Sequence, residues 1–180
     1  MLKGPVPFTG AYWVVPKKLM AGFYPGSPQP YEATENLTNL VRCGIQCVIN
    51  LIEENQSSRY PAAIVPYEEE LHDIAEKESS SIDYYQFPIR DRDIPSREVM
   101  IRILDTIDHS IKTGNPVYIH CLGGIGRTGT VVGCYLLRHR ITDHYNVLEE
   151  IRILRIGTAH QFINSPETES QREFVQTWEE

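Results

Sequence analysis

The thirteen residues from 117 to 129, Val-Tyr-Ile-His-Cys-Leu-Gly-Gly-Ile-Gly-Arg-Thr-Gly, constrain this chain more than any others. Val117-Tyr118-Ile119-His120 reads as a short strand buried on both faces, the pattern of a parallel sheet. Gly123, Gly124 and Gly126 make a tight turn, and the pattern predicts a helix over 128–138 leaving it. In sheets built from such units, ligands sit beyond the carboxyl ends of the strands, which is where Cys121 falls. Backbone N–H groups at a helix N-terminus lack partners and favour an anion. The glycines let the N–H groups of Leu122, Gly123, Gly124, Ile125 and Gly126 turn toward one centre. Arg127 adds a planar fork for two oxygens of a phosphate. The same field favours a thiolate at Cys121, placed to attack a bound phosphorus. His120 is expected to orient the loop, and the Thr128 hydroxyl to hydrogen-bond the sulfur as it leaves.

The rest of the chain reads as one α/β domain over 1–180, with a flexible segment over 1–10. Two short strands, 12–15 and 19–21, form an N-terminal hairpin, and the Gly- and Pro-rich stretch 22–30 is a loop. Helices are predicted over 34–43, 66–77, 96–112, 128–138 and 144–155, from apolar residues at helical spacing. A last helix is expected to start at Ser165, a hydroxyl cap followed by Pro166 at the first helical position, and to turn Phe174 and Trp178 inward. Apolar runs at 47–52 and 117–120 and the aromatic stretch 84–87 supply further strands. Strands alternating with helices imply a central, mainly parallel sheet flanked by helices.

Composition narrows the function. The net charge of −7 argues against general nucleic-acid binding and against docking on anionic membranes, both of which need basic surface. No apolar run approaches the ~20 residues of a membrane span, and the N-terminus lacks a secretory apolar stretch. The cytoplasm is the expected location and a monomer the expected state. Four cysteines in 180 residues are too sparse for a disulfide scaffold. Cys43 and Cys47 lack a second ligand pair at metal-site spacing, so neither metal nor cofactor is expected. Cys43, Cys47 and Cys134 read as small buried hydrophobes. Against an NTPase loop, the Lys-Ser/Thr ending is missing.

The string of Cys121, five residues, Arg127 and Thr128, preceded by His120, resembles the signature of the protein tyrosine phosphatase superfamily. The short hairpin and compact chain are most similar to its atypical dual-specificity group. Leu122 departs from the small polar residue often found there in the large tyrosine phosphatases. The resemblance implies a phosphomonoester hydrolase working through a phosphocysteine. It also implies a general acid on a second loop, where a Pro-Ile-x-Asp string maps to Asp91 in Pro88-Ile89-Arg90-Asp91. Asp93 is the rival at the neighbouring alternate position. Gln171 matches one position of a loop that in relatives positions the hydrolytic water, while Glu167 stands where a second glutamine is expected. A helix cap is the competing reading of that segment. Glu53 is a candidate to support Arg127 from behind, and Cys43 or Cys47 a candidate disulfide partner for Cys121. The expected substrate is a phosphorylated protein or peptide. Phosphoinositides, inositol phosphates and RNA 5′-phosphates are alternatives, disfavoured because residues 122–126 contain no extra cation. A non-catalytic phosphate-binding module is the remaining alternative.

Overall fold

The structure is a computed structural model, and it describes residues 4–54, 56 and 64–180. Five strands form one sheet in the order β1-β2-β5-β3-β4. They are β1 (Tyr12–Val15), β2 (Leu19–Gly22), β3 (Cys47–Asn50), β4 (Asp83–Gln86) and β5 (Val117–His120). β1 and β2 are the antiparallel hairpin, and every other pairing is parallel. The mainly parallel α/β sheet with its N-terminal hairpin is therefore present.

Alternation along the strands splits the core in two, because successive side chains face opposite sides of a sheet. Trp13, Met20, Val48 and Tyr118 pack with α1 (Pro30–Arg42) and α2 (Glu68–Lys77) on one face. Val14, Leu19, Ile49 and Ile119 pack on the other with α3 (Arg97–Lys112), α4 (Gly126–Arg138), α5 (Val147–Leu154) and α6 (Glu169–Gln176). This covering on both faces explains the near-continuous apolar runs of β3 and β5. β4 is an edge strand and is mostly exposed, so Tyr85 faces outward.

Helix ends differ from the sequence reading in ways that local chemistry explains. Ser96 caps α3 as expected, accepting from the Val99 N–H. α1 starts earlier than expected, with Pro30 in its first turn. α5 starts later, because the Asp143 carboxylate accepts from the Tyr145 and Asn146 N–H groups in a turn before it. α4 starts at Gly126, two residues before the expected Thr128. The last helix does not start at Ser165. Thr168 caps α6 in a reciprocal capping box with Gln171, while Ser165 donates 2.7 Å to the Ile125 carbonyl instead. Of the expected flexible segment 1–10, residues 1–3 lie outside the described residues. The carbonyls of Pro5, Pro7 and Thr9 accept from Trp13, Asn39 and Ala159, so that part is tied to the domain. Among the described residues no helix is long and apolar enough to cross a membrane.

Candidate active site

The loop after β5 turns on Gly124, whose φ is +67° and whose Cβ, if present, would lie 2.5 Å from the Gly22 carbonyl carbon. Only glycine fits both that conformation and that approach. Two of the loop carbonyls are engaged: Leu122 accepts from the Tyr24 N–H, and Ile125 from Gly129 and Ser165. Among the described residues, the N–H groups of Leu122, Gly123, Gly124 and Ile125 donate to no protein acceptor. Those of Gly126 and Arg127 open α4, where a helix has no internal acceptors. The loop thus presents a run of unpaired donors, the arrangement that favours an anion. A cavity of about 50 Å³ sits on it, lined by Cys121, Gly123, Ile125, Gly126, Arg127, Asp91, Arg92 and Glu167.

Cys121 is 3% exposed and Arg127 2%. The two guanidinium ends of Arg127 have different tasks. Nη1 donates to Gln56 Oε1 at 2.8 Å and to the carbonyls of Ile89 and Leu51 at 3.0 and 3.4 Å. Nη2 meets the Asp91 carboxylate at 2.9 Å, at the cavity. One end is anchored, and the other faces an anion. Gln56 is fully buried and was not singled out in the sequence, since a lone Gln in a polar loop carries no signal. Glu53 does not support Arg127 as expected. Its carboxylate accepts from the Asp91 backbone N–H at 3.2 Å and so steadies the acid loop.

That loop reverses between Arg90 and Asp93, whose N–H bonds the Arg90 carbonyl at 3.1 Å. Arg92 sits at φ +65°, a strained value for a residue with a side chain. The reversal aims Asp91 inward. Asp93 is exposed and its carboxylate accepts from the Ile94 N–H. The two aspartates, equivalent by spacing, are separated by the turn.

His120 points to the opposite face of the sheet from Cys121. Its Nδ1–H donates to the Cys121 carbonyl at 3.1 Å, and its Nε2 accepts from the Tyr67 hydroxyl. Burial pushes the imidazole down to about 3, with the Arg127 charge adding to the effect and the Cys121 carbonyl opposing it. Burial likewise holds the Tyr67 phenol protonated, well above its ordinary value. An unfolded His titrates near ~6.5, so between about pH 3 and 6.5 the unfolded chain holds a proton the folded chain lacks. Stability from this group is complete above about pH 6.5 and is lost as pH falls toward about 3, by on the order of 5 kcal/mol in full. Urea midpoints measured from about pH 7 down to about pH 4.5 should therefore fall more steeply for the wild type than for His120→Asn. Equal slopes would contradict this assignment.

Thr128 is fully buried, and its hydroxyl has no partner among the described residues. Gln171 is also buried. Its Oε1 accepts from the N–H groups of Glu167 and Thr168, and its Nε2 donates to the Asp93 carbonyl at 3.0 Å. The cap reading is thus realised, and the same amide ties α6 to the acid loop. Cys47 and Cys134 are buried, and burial raises both thiols, Cys47 to about 11. Cys43 is only half-buried, because it ends α1. Cys47 pairs with Val117 at the start of β5. Cys121 lies four residues further along, or ~13 Å at 3.3 Å per residue, too far for a disulfide. Cys43 precedes β3 at that same remote end. The aromatic residues Tyr24, Tyr67 and Tyr84 line a second cavity of about 230 Å³ beside β3 and β4. Tyr12 is a core residue, raised by burial.

Gly124, Gly126 and Gly129 stand at the G-x-G-x-x-G spacing of dinucleotide sites. That fingerprint belongs to a unit in which another parallel strand follows the helix, and no strand follows β5 among the described residues. A thiol, a run of unpaired N–H donors, an anchored guanidinium and an inward carboxylate thus meet at one end of this sheet. Residues 25–141 match the family model described as a polymorphic toxin system DSP-PTPase phosphatase, and the chain belongs to that family. The dual-specificity protein phosphatase CDC14A of Mus musculus is 26% identical over 146 residues, covering 81% of this chain and 22% of that protein. The chain spans only 16–30% of the lengths of the first curated relatives it matches. Among solved structures, the active form of Tk-PTP superposes with a TM-score of 0.65 at 25% identity, covering 94% of this chain and 95% of that one. Kinase associated phosphatase superposes with a TM-score of 0.68 at 21% identity, covering 87% and 83%.

Proposed function

We propose that this single domain hydrolyses phosphomonoesters through a phosphocysteine at Cys121, with phosphorylated protein or peptide as substrate. The observation that carries the reading is the convergence of Cys121, the undonated loop N–H groups, Arg127 and Asp91 on one cavity. The substrate phosphate takes the cradle and displaces the Asp91 carboxylate from Arg127 Nη2. The Cys121 thiolate attacks phosphorus in line, and the bond to the leaving oxygen breaks as protonated Asp91 gives that oxygen its proton. Water then attacks the phosphocysteine and gives a proton back to Asp91. The sulfur leaves as thiolate, with the buried Thr128 hydroxyl as its hydrogen-bond donor. This divides one difficult displacement into two, and most of the work is positioning and preorganised charge. His120 holds the Cys121 backbone. Gln171 keeps one Nε2 hydrogen for the hydrolytic water.

The phosphoprotein reading rests on the absence of a cation between Leu122 and Gly126, which highly phosphorylated lipids and inositols would require. A dual-specificity protein phosphatase among the relatives supports it. The acid assignment is tested on a poor leaving group. Asp91→Asn should lower kcat on an alkyl phosphate by ~10²–10⁴-fold, and Asp93→Asn should leave it within about threefold. The reverse pattern would exchange their roles.

A further inference from the structure

A groove outside the Cys121 site lies between α5, the loop over 156–164 and the start of α6. It encloses about 560 Å³, within the ~300–1,000 Å³ range of ligand sites. Its walls carry three guanidinium groups, Arg152, Arg155 and Arg172, against one carboxylate, Glu149, although the whole chain has a net charge of −7. Glu149 is already engaged by Arg152 through two hydrogen bonds of 2.6 and 2.7 Å. Arg172 donates to the carbonyls of Pro166 and Glu167.

Arg155 is the decisive group. It is 2% exposed, its guanidinium donates to the carbonyls of Ile163 and His160, and it forms no ion pair among the described residues. A buried charge held only by neutral carbonyls keeps a large part of its desolvation cost, and burial correspondingly lowers its affinity for the proton. An incoming carboxylate offsets that cost. Beside it stand Phe162, 92% exposed, and Tyr145, 94% exposed, with Ile163 also open to solvent. Clustered exposed aromatics with arginine are the composition of a protein-binding hot spot. The groove is also tied to the phosphate loop through one hydrogen bond. Ser165 lines it and bonds the Ile125 carbonyl of the phosphate loop, and Glu167 lines the Cys121 cavity.

We infer that this groove docks an acidic segment of the protein substrate, anchored by a neighbouring hydrophobic side chain, while the phosphorylated residue of the same substrate occupies the Cys121 cavity. The inference deepens the proposed function and rests on it. Carboxylates of the segment pair with Arg152 and Arg172 at the rim and satisfy the field of Arg155 below. The apolar anchor packs on Phe162.

The test uses two phosphotyrosyl peptide series with spacers of increasing length, alike except for a Glu-Glu-Leu-Phe or a Lys-Lys-Leu-Phe tail. The acidic tail should raise kcat/KM by about fivefold or more at the best spacer, mainly through KM, since fivefold is only ~1 kcal/mol. Phe162→Glu should remove that gain and leave turnover of a small aryl phosphate unchanged. Fluorescence anisotropy of the unphosphorylated acidic peptide measures docking without chemistry. Binding there without turnover of any phosphoester would overturn the proposed function and keep the groove. Equal kcat/KM for the two tails at every spacer would overturn the groove and keep the function. Phe162-dependent sedimentation with phosphatidylserine vesicles, with no peptide effect, would replace the peptide by a membrane and overturn the inference as well.

Discussion

Cys121→Ser is expected to remove turnover of an aryl phosphate, by ~10⁴-fold or more, while leaving the phosphate site able to bind. A serine hydroxyl cannot stand as the anion at neutral pH; His120 lies on the other side of the sheet with both ring nitrogens engaged, and Asp91, the carboxyl in the cavity, is needed in its protonated form for the leaving oxygen in that step. Loss of an activated nucleophile costs factors of this size. The loop geometry should survive, because it is set by Gly124, Ser165 and Tyr24 rather than by the sulfur. Phosphopeptide affinity measured by calorimetry should therefore stay within about threefold. Retained turnover in excess EDTA would show that the thiol is not the nucleophile. Loss of binding together with turnover would show that the thiolate belongs to the cradle rather than to the chemistry.

Arg127→Lys is the second large effect, and it separates shape from charge. Lysine keeps the positive charge but not the fork. It cannot reach Gln56, Ile89 and Leu51 with one end while offering the other to phosphate. We expect kcat/KM to fall by ~10³-fold, about 4 kcal/mol. Stability should fall by about 2–4 kcal/mol, because buried acceptors are left without donors. Thermal melting read beside the kinetics separates the two losses. Gln56→Met removes one acceptor and keeps the fork, so it should show the smaller stability loss with only a modest kinetic one. An Arg127→Lys enzyme within tenfold of wild type would rule out two-oxygen recognition by the guanidinium.

Much of this site was legible because its parts lie within one short stretch. Cys121, the glycines and Arg127 occupy seven consecutive residues, and their spacing dictates a local loop whatever the distant chain does. Asp91 could be matched as a type through Pro88-Ile89, but spacing alone left Asp93 as its rival. The turn that separates them depends on Arg92 adopting a left-handed backbone and on Glu53 holding the Asp91 N–H. Both are tertiary facts. Gln171 was ambiguous for a related reason, since its amide oxygen serves the local cap and its nitrogen reaches the acid loop 78 residues away.

The hydrophobic pattern and the residues from 117 to 129 by themselves determined a mainly parallel α/β sheet and a glycine-rich loop with a thiol beyond a strand end. Periodicity and loop turns are properties of neighbouring residues, so they can be read along the chain. Only the tertiary structure decided what stands behind Arg127, which aspartate faces the cavity, and that the Tyr67 hydroxyl meets His120 Nε2. It also decided that Cys47 is too remote to protect Cys121. Each of those depends on contacts between side chains dozens of residues apart. Such contacts are selected by packing two helical layers against one sheet, and no single stretch of sequence carries that information.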